Sequence, residues 1–339
     1  MRPTLRPVAL ILGGALVLAA CGGPTVSTGP DEALTIYSGR AESLVGPLIE
    51  KFETASGLDV QVNYAGTTDL AATLLEEGAA SPADVFFAQD AGALGAVAAE
   101  DRLTALPAET LDKVDGRFVS DEGHWVGVSG RARVVIYDTR TLDESQLPAS
   151  IDGFTDPEWK GRIGWAPTNA SLQSFVTAYR VMKGDEAAKT WLEGIQANEP
   201  KAFDNNDAVL AAVAAGEVEV GFVNHYYLMR QLQEQGDDYP VRNFFLPGGD
   251  PGSLVNVAGA GILSTAPHPT AAQAFVDFLL NEESQHYFAE QTHEYPLSAG
   301  VAAEEALPPL DEIESPDIDL SDLSDLQGTL QLMQEAGVL

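Results

Sequence analysis

The strongest constraint in this chain is its alternation of short apolar runs with amphipathic stretches. "ALTIYSG" (33–39) reads as a strand, and "AESLVGPLIEKFETAS" after it as a helix stopped by Gly57. "LDVQVNYAG" is a second strand, and "TTDLAATLLEEG" a helix with Thr67 or Thr68 as its cap and Gly78 at its end. "PADVFFAQD" and "AGALGAVAAED" repeat the pattern. A second set follows: "GRIGWAP", "SLQSFVTAYRVMKG", "DEAAKTWLEGIQAN", "DAVLAAVAAGE", "VEVGFVN" and "HYYLMRQLQEQG". Strands joined through helices must run parallel, so the pattern predicts α/β architecture with helices flanking mainly parallel sheets. Two runs break the rhythm. "WVGVSGRARVVIYD" (125–138) is long and apolar, interrupted by Gly130 and Arg131, and "SLVNVAGAGIL" (253–263) is a second such run. The 339 residues are too many for one ordinary core. The expectation is two α/β lobes joined near 130–137 and 253–261, where extended connections serve as hinges.

Charge narrows the function. Asp and Glu number 51 against 18 Lys and Arg, a formal net charge of -33. That balance excludes nucleic acid as a partner, because phosphate binding needs a basic footprint. The N-terminus carries Arg2 and Arg6, then the apolar run Val8 to Ala20, which is too short for a stable membrane span. It ends in "LAAC", which resembles a bacterial lipobox and so predicts acylation of Cys21. Residues 1–20 are then a lipoprotein signal peptide and 21–33 a flexible tether. Cys21 is the one cysteine, so the folded part has no disulfide, thiolate metal site or cysteine nucleophile. Residues 302–326 carry nine acids and no base, and read as a solvated surface strap.

No phosphate-binding loop, dinucleotide fingerprint or nucleophile elbow is present. His124, His225, His268, His286 and His293 lack a metal-ligand spacing, and nothing selects a catalytic triad, so an enzyme is disfavoured. Polar residues with small neighbours instead recur where strands turn into helices: "YSGR" (37–40), "AGTTD" (65–69), "PTNAS" (167–171), "DNND" (204–207) and "VNHYY" (223–227). In an open α/β sheet such junctions line the crevice at the strands' carboxyl ends. Helix starts offer free N–H groups and partial positive charge, which suit anions, and Arg40 adds a full charge. Tyr226 and Tyr227 stand at one of these junctions. A phenol ionises near pH 10 unless a cation stabilises the phenolate. Ferric ion is a hard cation that does so, and two adjacent phenolates can reach one ion. On residues alone, a tyrosine pair is far more often core packing or a sugar-stacking platform.

Over residues 34–300 the chain resembles the bacterial ferric-ion-binding proteins, the iron(III) substrate-binding components of ABC importers. The likeness rests on "TIYSGR", "SPADVFF", "VSGRARVVIYDT", "WKGRIGWAPTNAS", "MKGDEAAKTWLEGI", "NDAVLAAVAAGEVEVGFVNHYYL", "DPGSL", "AQAFVDFLL" and "EYPL", in that order. It implies a two-lobe periplasmic-binding-protein fold of type II that closes on its ligand, with lobe 1 at 34–131 plus 257–300 and lobe 2 at 132–256 plus 301–339. It implies Tyr226 and Tyr227 as Fe(III) ligands, and a synergistic anion (carbonate or phosphate) at Asn169, Ala170, Ser171, Asn206 and Asn224. The histidine and glutamate that some members use in the first lobe are Ala41 and Gln89 here. The "YSGR" form resembles another branch, in which the arginine holds the anion, so Arg40 is assigned to it. Arg131 is a weaker anion candidate, and Tyr37, Glu42 and Asp90 are candidate extra ligands. His225 is not counted, since family members usually have Asn there. The implied partners are an ABC permease and its ATPase. The implied location is the outer face of the cell membrane through the lipid anchor, or the periplasm, as a monomer. The alternative is a receptor of the same fold for a phosphonate or sugar phosphate.

Overall fold

The computed structural model describes residues 33–339, so the signal segment, Cys21 and nearly all of the tether lie outside the described residues. The first half of the chain supplies β1 (Ala33–Ser38), α1 (Glu42–Ser56), β2 (Asp59–Tyr64), α2 (Thr67–Glu77), β3 (Val85–Ala88), α3 (Ala91–Ala99), the short α4 (Ala108–Leu111) and the long β4 (Val126–Asp138). Then come β5 (Ile163–Trp165), α5 (Ala170–Lys183), α6 (Asp185–Ala197), β6 (Lys201–Ala202), α7 (Asn206–Ala214), β7 (Val220–Asn224), α8 (Tyr226–Gln235) and β8 (Val241–Phe244). The chain ends with β9 (Val255–Ile262), α9 (Pro269–Leu279), α10 (Glu282–Gln291), β10 (Tyr295–Pro296) and α11 (Leu326–Glu335).

The strands lie in the order β2-β1-β3-β9-β4-β7-β5-β6, with β8 and β10 also paired to β4. Pairs linked through helices are parallel, namely β1 with β2 and β3, and β5 with β6 and β7. The two long strands are antiparallel to their neighbours and stand between the parallel sets. This is the two-lobed α/β architecture that the alternation predicts. Aromatic side chains fill each half: Phe52, Phe86, Phe87 and Phe275 on one side, and Trp159, Trp165, Trp191, Phe175 and Phe222 on the other.

β4 joins the halves. Val126 to Ala132 pair with β9, and Arg133 to Tyr137 pair with β7. Gly130 and Arg131, expected to interrupt the run, do not. The strand stays continuous and all of its residues are buried. Gly130 lies close under β10, where a Cβ would stand 3.1 Å from the Tyr295 Cβ, a tight contact. Arg131 lies opposite Asn256 of β9, beside the boundaries expected for the lobes.

Other local expectations change. α2 begins after Gly66, and neither threonine caps it. Thr67 Oγ1 instead donates to Gly39 O at 3.2 Å and accepts from Gln89 N at 3.2 Å, tying two crevice junctions together. Thr68 Oγ1 donates across to Gln173 Oε1 of α5 at 2.8 Å. The acidic strap is anchored rather than merely solvated: Leu307, Ile313, Leu320 and Leu323 are buried. Its turn at Leu320–Ser324 lies against α3, while α11 packs on α5 and α6, so residues 301–339 touch both halves.

α3 accepts the strap through glycine. A Cβ on Gly95 would stand 2.9 Å from Ser324 Cβ and 3.1 Å from Ser324 Cα. On helix propensity alone, Gly95→Ala gains about 1 kcal/mol. Overpacking against a backbone costs about 1–3 kcal/mol and should win. We expect a net loss of stability in urea unfolding, and a stabilised Gly95→Ala protein would show that the strap does not press on α3.

Candidate metal-binding site

β7 ends at Asn224 and α8 starts at Tyr226, so the tyrosine pair stands at a strand-to-helix junction. The two rings are stacked, with centroids 4.3 Å apart and planes 27° from parallel. Tyr226 is fully buried and Tyr227 is 6% exposed. Among the described residues the Tyr226 hydroxyl has no hydrogen-bond partner. A buried polar atom left unpaired costs about 1–3 kcal/mol. Burial pushes the Tyr227 phenol well above its usual 10 and the Tyr226 hydroxyl adds to this, while the Asn206 side chain opposes it. Tyr227 therefore holds its proton at neutral pH. Arg230, one turn along α8, lies over both rings, 5.2 Å from the Tyr227 centroid, and is paired with Asp207. Facing rings at this distance attract its charge.

The second-half helix starts meet beside the pair. Asn169 caps α5, its Oδ1 accepting from Ser171 N at 3.0 Å and from Ser171 Oγ at 2.6 Å. Asn206 Nδ2 reaches Ser171 Oγ at 3.3 Å and Asn169 Oδ1 at 3.4 Å. The Oδ1 atoms of Asn206 and Asn224 are buried and unpartnered. Ala170 is the first residue of α5 and, with Asn169, lines a cavity of about 490 Å³ that also touches Thr67, Thr68 and Gln89 of the other half.

Three arginines are buried around these groups. Arg40, 2% exposed, ion-pairs with Glu294 at 2.6 Å, and its Nε has no partner. Glu294 is fully engaged, since its other oxygen accepts from Ser129 Oγ at 2.9 Å and Thr292 Oγ1 at 3.1 Å. Burial opposes the Arg40 charge, but Glu294 and then the two phenols more than offset it, and the pKa rises. Arg131, 1% exposed, leaves Nε and Nη1 unpartnered. Arg133, missing from the sequence candidates, is 3% exposed and lies opposite Asn224 in the β4–β7 ladder. Its Nη1 donates to Ser171 Oγ at 3.4 Å, and its guanidinium lies over Phe175. Burial lowers its pKa to about 9, with Arg131 adding to the fall and the two phenols opposing it. Among the described residues no carboxylate forms an ion pair with Arg133. The period of two in "SGRAR" was the signal: a strand turns positions 131 and 133 to the same face.

The remaining candidates lie elsewhere. The Tyr37 hydroxyl donates to Glu77 Oε1 at 2.9 Å. Glu42 is exposed in the first turn of α1, beside Tyr64. Asp90 is buried but caps α3, with Oδ1 accepting from Ala93 N at 3.0 Å. Burial raises its pKa, which the Ala93 N–H and then Arg131 oppose. His225, expected not to be a ligand, has both ring nitrogens on backbone: Nδ1 accepts from Ala132 N at 3.1 Å and Nε2 donates to His293 O at 2.8 Å. Among the described residues no group of three or more His, Cys, Asp or Glu side chains is placed to hold a metal ion.

Residues 47–313 match the bacterial extracellular solute-binding proteins. The "Major ferric iron-binding protein" of Neisseria meningitidis serogroup B is 34% identical over 308 residues, 90% of this chain and 93% of that one. The "Fe(3+)-binding periplasmic protein" of Serratia marcescens is 31% identical over 338 residues, 99% of this chain and 98% of that one. The crystal structure of iron-bound HitA from Pseudomonas aeruginosa superposes with a TM-score of 0.86 at 35% identity, covering 90% of this chain and 99% of that one. The fold is that of type II periplasmic binding proteins. The chain belongs to the bacterial extracellular solute-binding proteins, in the family of the ferric-ion-binding proteins.

The His225 geometry has a pH consequence. Burial lowers its pKa from 6.5 to about 4. The folded state therefore resists protonation, and the unfolded chain takes up the proton first. His225 thus destabilises the fold progressively as pH falls from about 6.5 to about 4, by about 3 kcal/mol at the end of that window. Unfolding free energies measured at pH 7 and pH 4 should differ by less in His225→Gln than in the native protein.

Proposed function

We propose that the protein captures Fe(III) outside the cytoplasm and delivers it to an ABC importer. The observation that carries this reading is the buried, stacked tyrosine pair, whose Tyr226 hydroxyl has no protein partner in a crevice rich in buried arginine. The names of the relatives support it. In this reading Tyr226 and Tyr227 lose their protons and ligate the ion from the second half. Two phenolates offset two of its three charges. The Arg40 charge is answered by Glu294, and Arg131 has Asp90 within electrostatic reach. The remaining metal charge and that of Arg133 together match a doubly charged anion, such as carbonate or hydrogen phosphate. We therefore assign the anion to Arg133, Ser171 and the start of α5, with Asn169, Asn206 and Asn224 around it. Arg40 has a supporting role, because its strongest contact is already taken. Closure of the first half shields the site, and the closed form is recognised by a permease served by an ATPase. A lipid on Cys21 keeps the protein, a monomer, at the membrane. It binds and releases its cargo without catalysing a reaction.

The uncompensated Arg133 also favours a second occupant, a phosphonate or sugar phosphate held without metal. Thermal shift with ferric ion, phosphate and organic phosphates separates the two.

Ferric salt with bicarbonate should give the visible colour of tyrosinate-to-iron charge transfer. Tyr226→Phe and Tyr227→Phe should each abolish or strongly bleach it, and unchanged colour and affinity in both would sink the assignment. Each phenolate releases a proton on binding, so affinity should fall by about tenfold per pH unit for each as the solution is acidified. Arg133→Gln should weaken iron binding about tenfold or more when bicarbonate is present, and much less when it is absent. An equal effect in both conditions would remove Arg133 from the anion site.

A further inference from the structure

The β4–β7 ladder ends with Arg133 opposite Asn224. The next pair across it is Ala132 opposite His225, and only one half of that pair is ordinary. The His225 backbone N–H donates to Ala132 O at 3.0 Å. In a hydrogen-bonded antiparallel pair the return bond would run from Ala132 N–H to the His225 carbonyl. The chain has already turned by then. His225 is at φ -58 and ψ -38, helical values, and its carbonyl accepts instead from Asn243 Nδ2 at 2.9 Å. Ala132 N–H would be left buried and unpaired. The His225 imidazole receives it through Nδ1 at 3.1 Å.

The far side of the ring is fixed as well. Nε2 donates to His293 O at 2.8 Å, in the residue before the Glu294 that holds Arg40. A backbone N–H can only donate and a carbonyl can only accept, so these partners select the neutral tautomer with its proton on Nε2. The ring lies between Tyr295, 4.9 Å away, and Tyr226, which meets it edge-on at 5.9 Å. Ala132 is the last residue of β4 in register with β9, and its neighbour Arg133 is the first in register with β7. One side chain therefore links the point where the two halves join, the loop behind Arg40 and the first residue of the tyrosine helix.

We propose that His225 is a positioning residue for the tyrosine pair. Its imidazole stands in for the strand carbonyl that the turn removes, and so fixes where α8 begins and where Tyr226 and Tyr227 point. The proposal rests on reading that pair as the metal ligands. It explains why the helix can start abruptly at the sheet's edge with no side-chain cap of its own. Phenylalanine would fill the same space and make neither bond. Glutamine can still offer an oxygen to Ala132 N–H. Asparagine is too short to reach both partners.

The test uses the folded protein with ferric ion and bicarbonate as the probe. It reads the position of the charge-transfer band, the iron affinity by citrate competition, and Tm as a control for folding. His225→Phe is expected to lower affinity about 10–100-fold and to displace the band, as loss of support behind a metal ligand does. His225→Gln should recover most of the affinity and return the band towards its native position. A folded His225→Phe protein with native band and native affinity overturns the proposal. If His225→Phe does not fold, His225→Asn decides: a displaced band and weakened affinity in it support the role, most strongly when His225→Gln stays near native, and a native band and affinity in His225→Asn overturn it. Failure of the metal reading looks different, because colour would then survive in Tyr226→Phe and Tyr227→Phe whatever His225 does.

Discussion

Everything in this protein depends on the division of β4 between the two halves. The strand is in register with β9 up to Ala132 and with β7 from Arg133 onward, and β10 and β8 pair with it as well. A strand buried along its whole length must satisfy every N–H and C=O, so the change of partner cannot leave a gap. The fold meets this at one residue, with the His225 side chain supplying the acceptor that the backbone lacks. The same point brings Arg131 and Arg133 to the crevice. It also sets them beside Asn256 and Asn224 rather than beside carboxylates.

Burial of those arginines shapes the chemistry. A desolvated guanidinium is costly unless charge or hydrogen bonds answer it. Arg40 is answered by Glu294, whose own oxygens are then saturated by Ser129 and Thr292. Arg133 is answered only in part, by Ser171 and the face of Phe175. In a chain with 51 acidic residues, a buried arginine without a carboxylate is an arrangement specific to this place. The surface carries the negative charge, and the crevice carries the positive.

The layout of the fold was legible because apolar period and helix stops are local signals. The strand-helix order, Gly57 and Gly78 as stops, and the crevice junctions all follow from them. What stayed illegible depends on partners distant in sequence. Gly130 and Arg131 look like breaks in a strand, yet Tyr295 packs closely against the glycine and the arginine is buried between the halves. Thr67 looks like a cap, yet Gly39 and Gln89 take its hydroxyl. The acids of the strap hide the leucines between them, which are buried. The tyrosine pair, Asn169, Ser171, Asn206 and Asn224 were legible as a group because all sit where strands meet helices. Arg133 was not, because a motif read as a hinge draws attention to its first arginine. Tyr37 was a candidate extra ligand. Its side chain reaches Glu77 instead.

β4 and β9 lie side by side as an antiparallel ribbon between the two halves, hydrogen-bonded through the crossing point. Any change in the angle between the halves has to be absorbed as twist along this ribbon, since swinging one half away would tear its ladder. Such a ribbon behaves as a torsion bar. Its amides should be among the slowest in the molecule to exchange with solvent even though they lie at the pivot. The most strongly bonded backbone and the axis of greatest motion would then be the same few residues. Rigidity of this kind transmits a small rotation at Arg133 to both walls of the crevice at once.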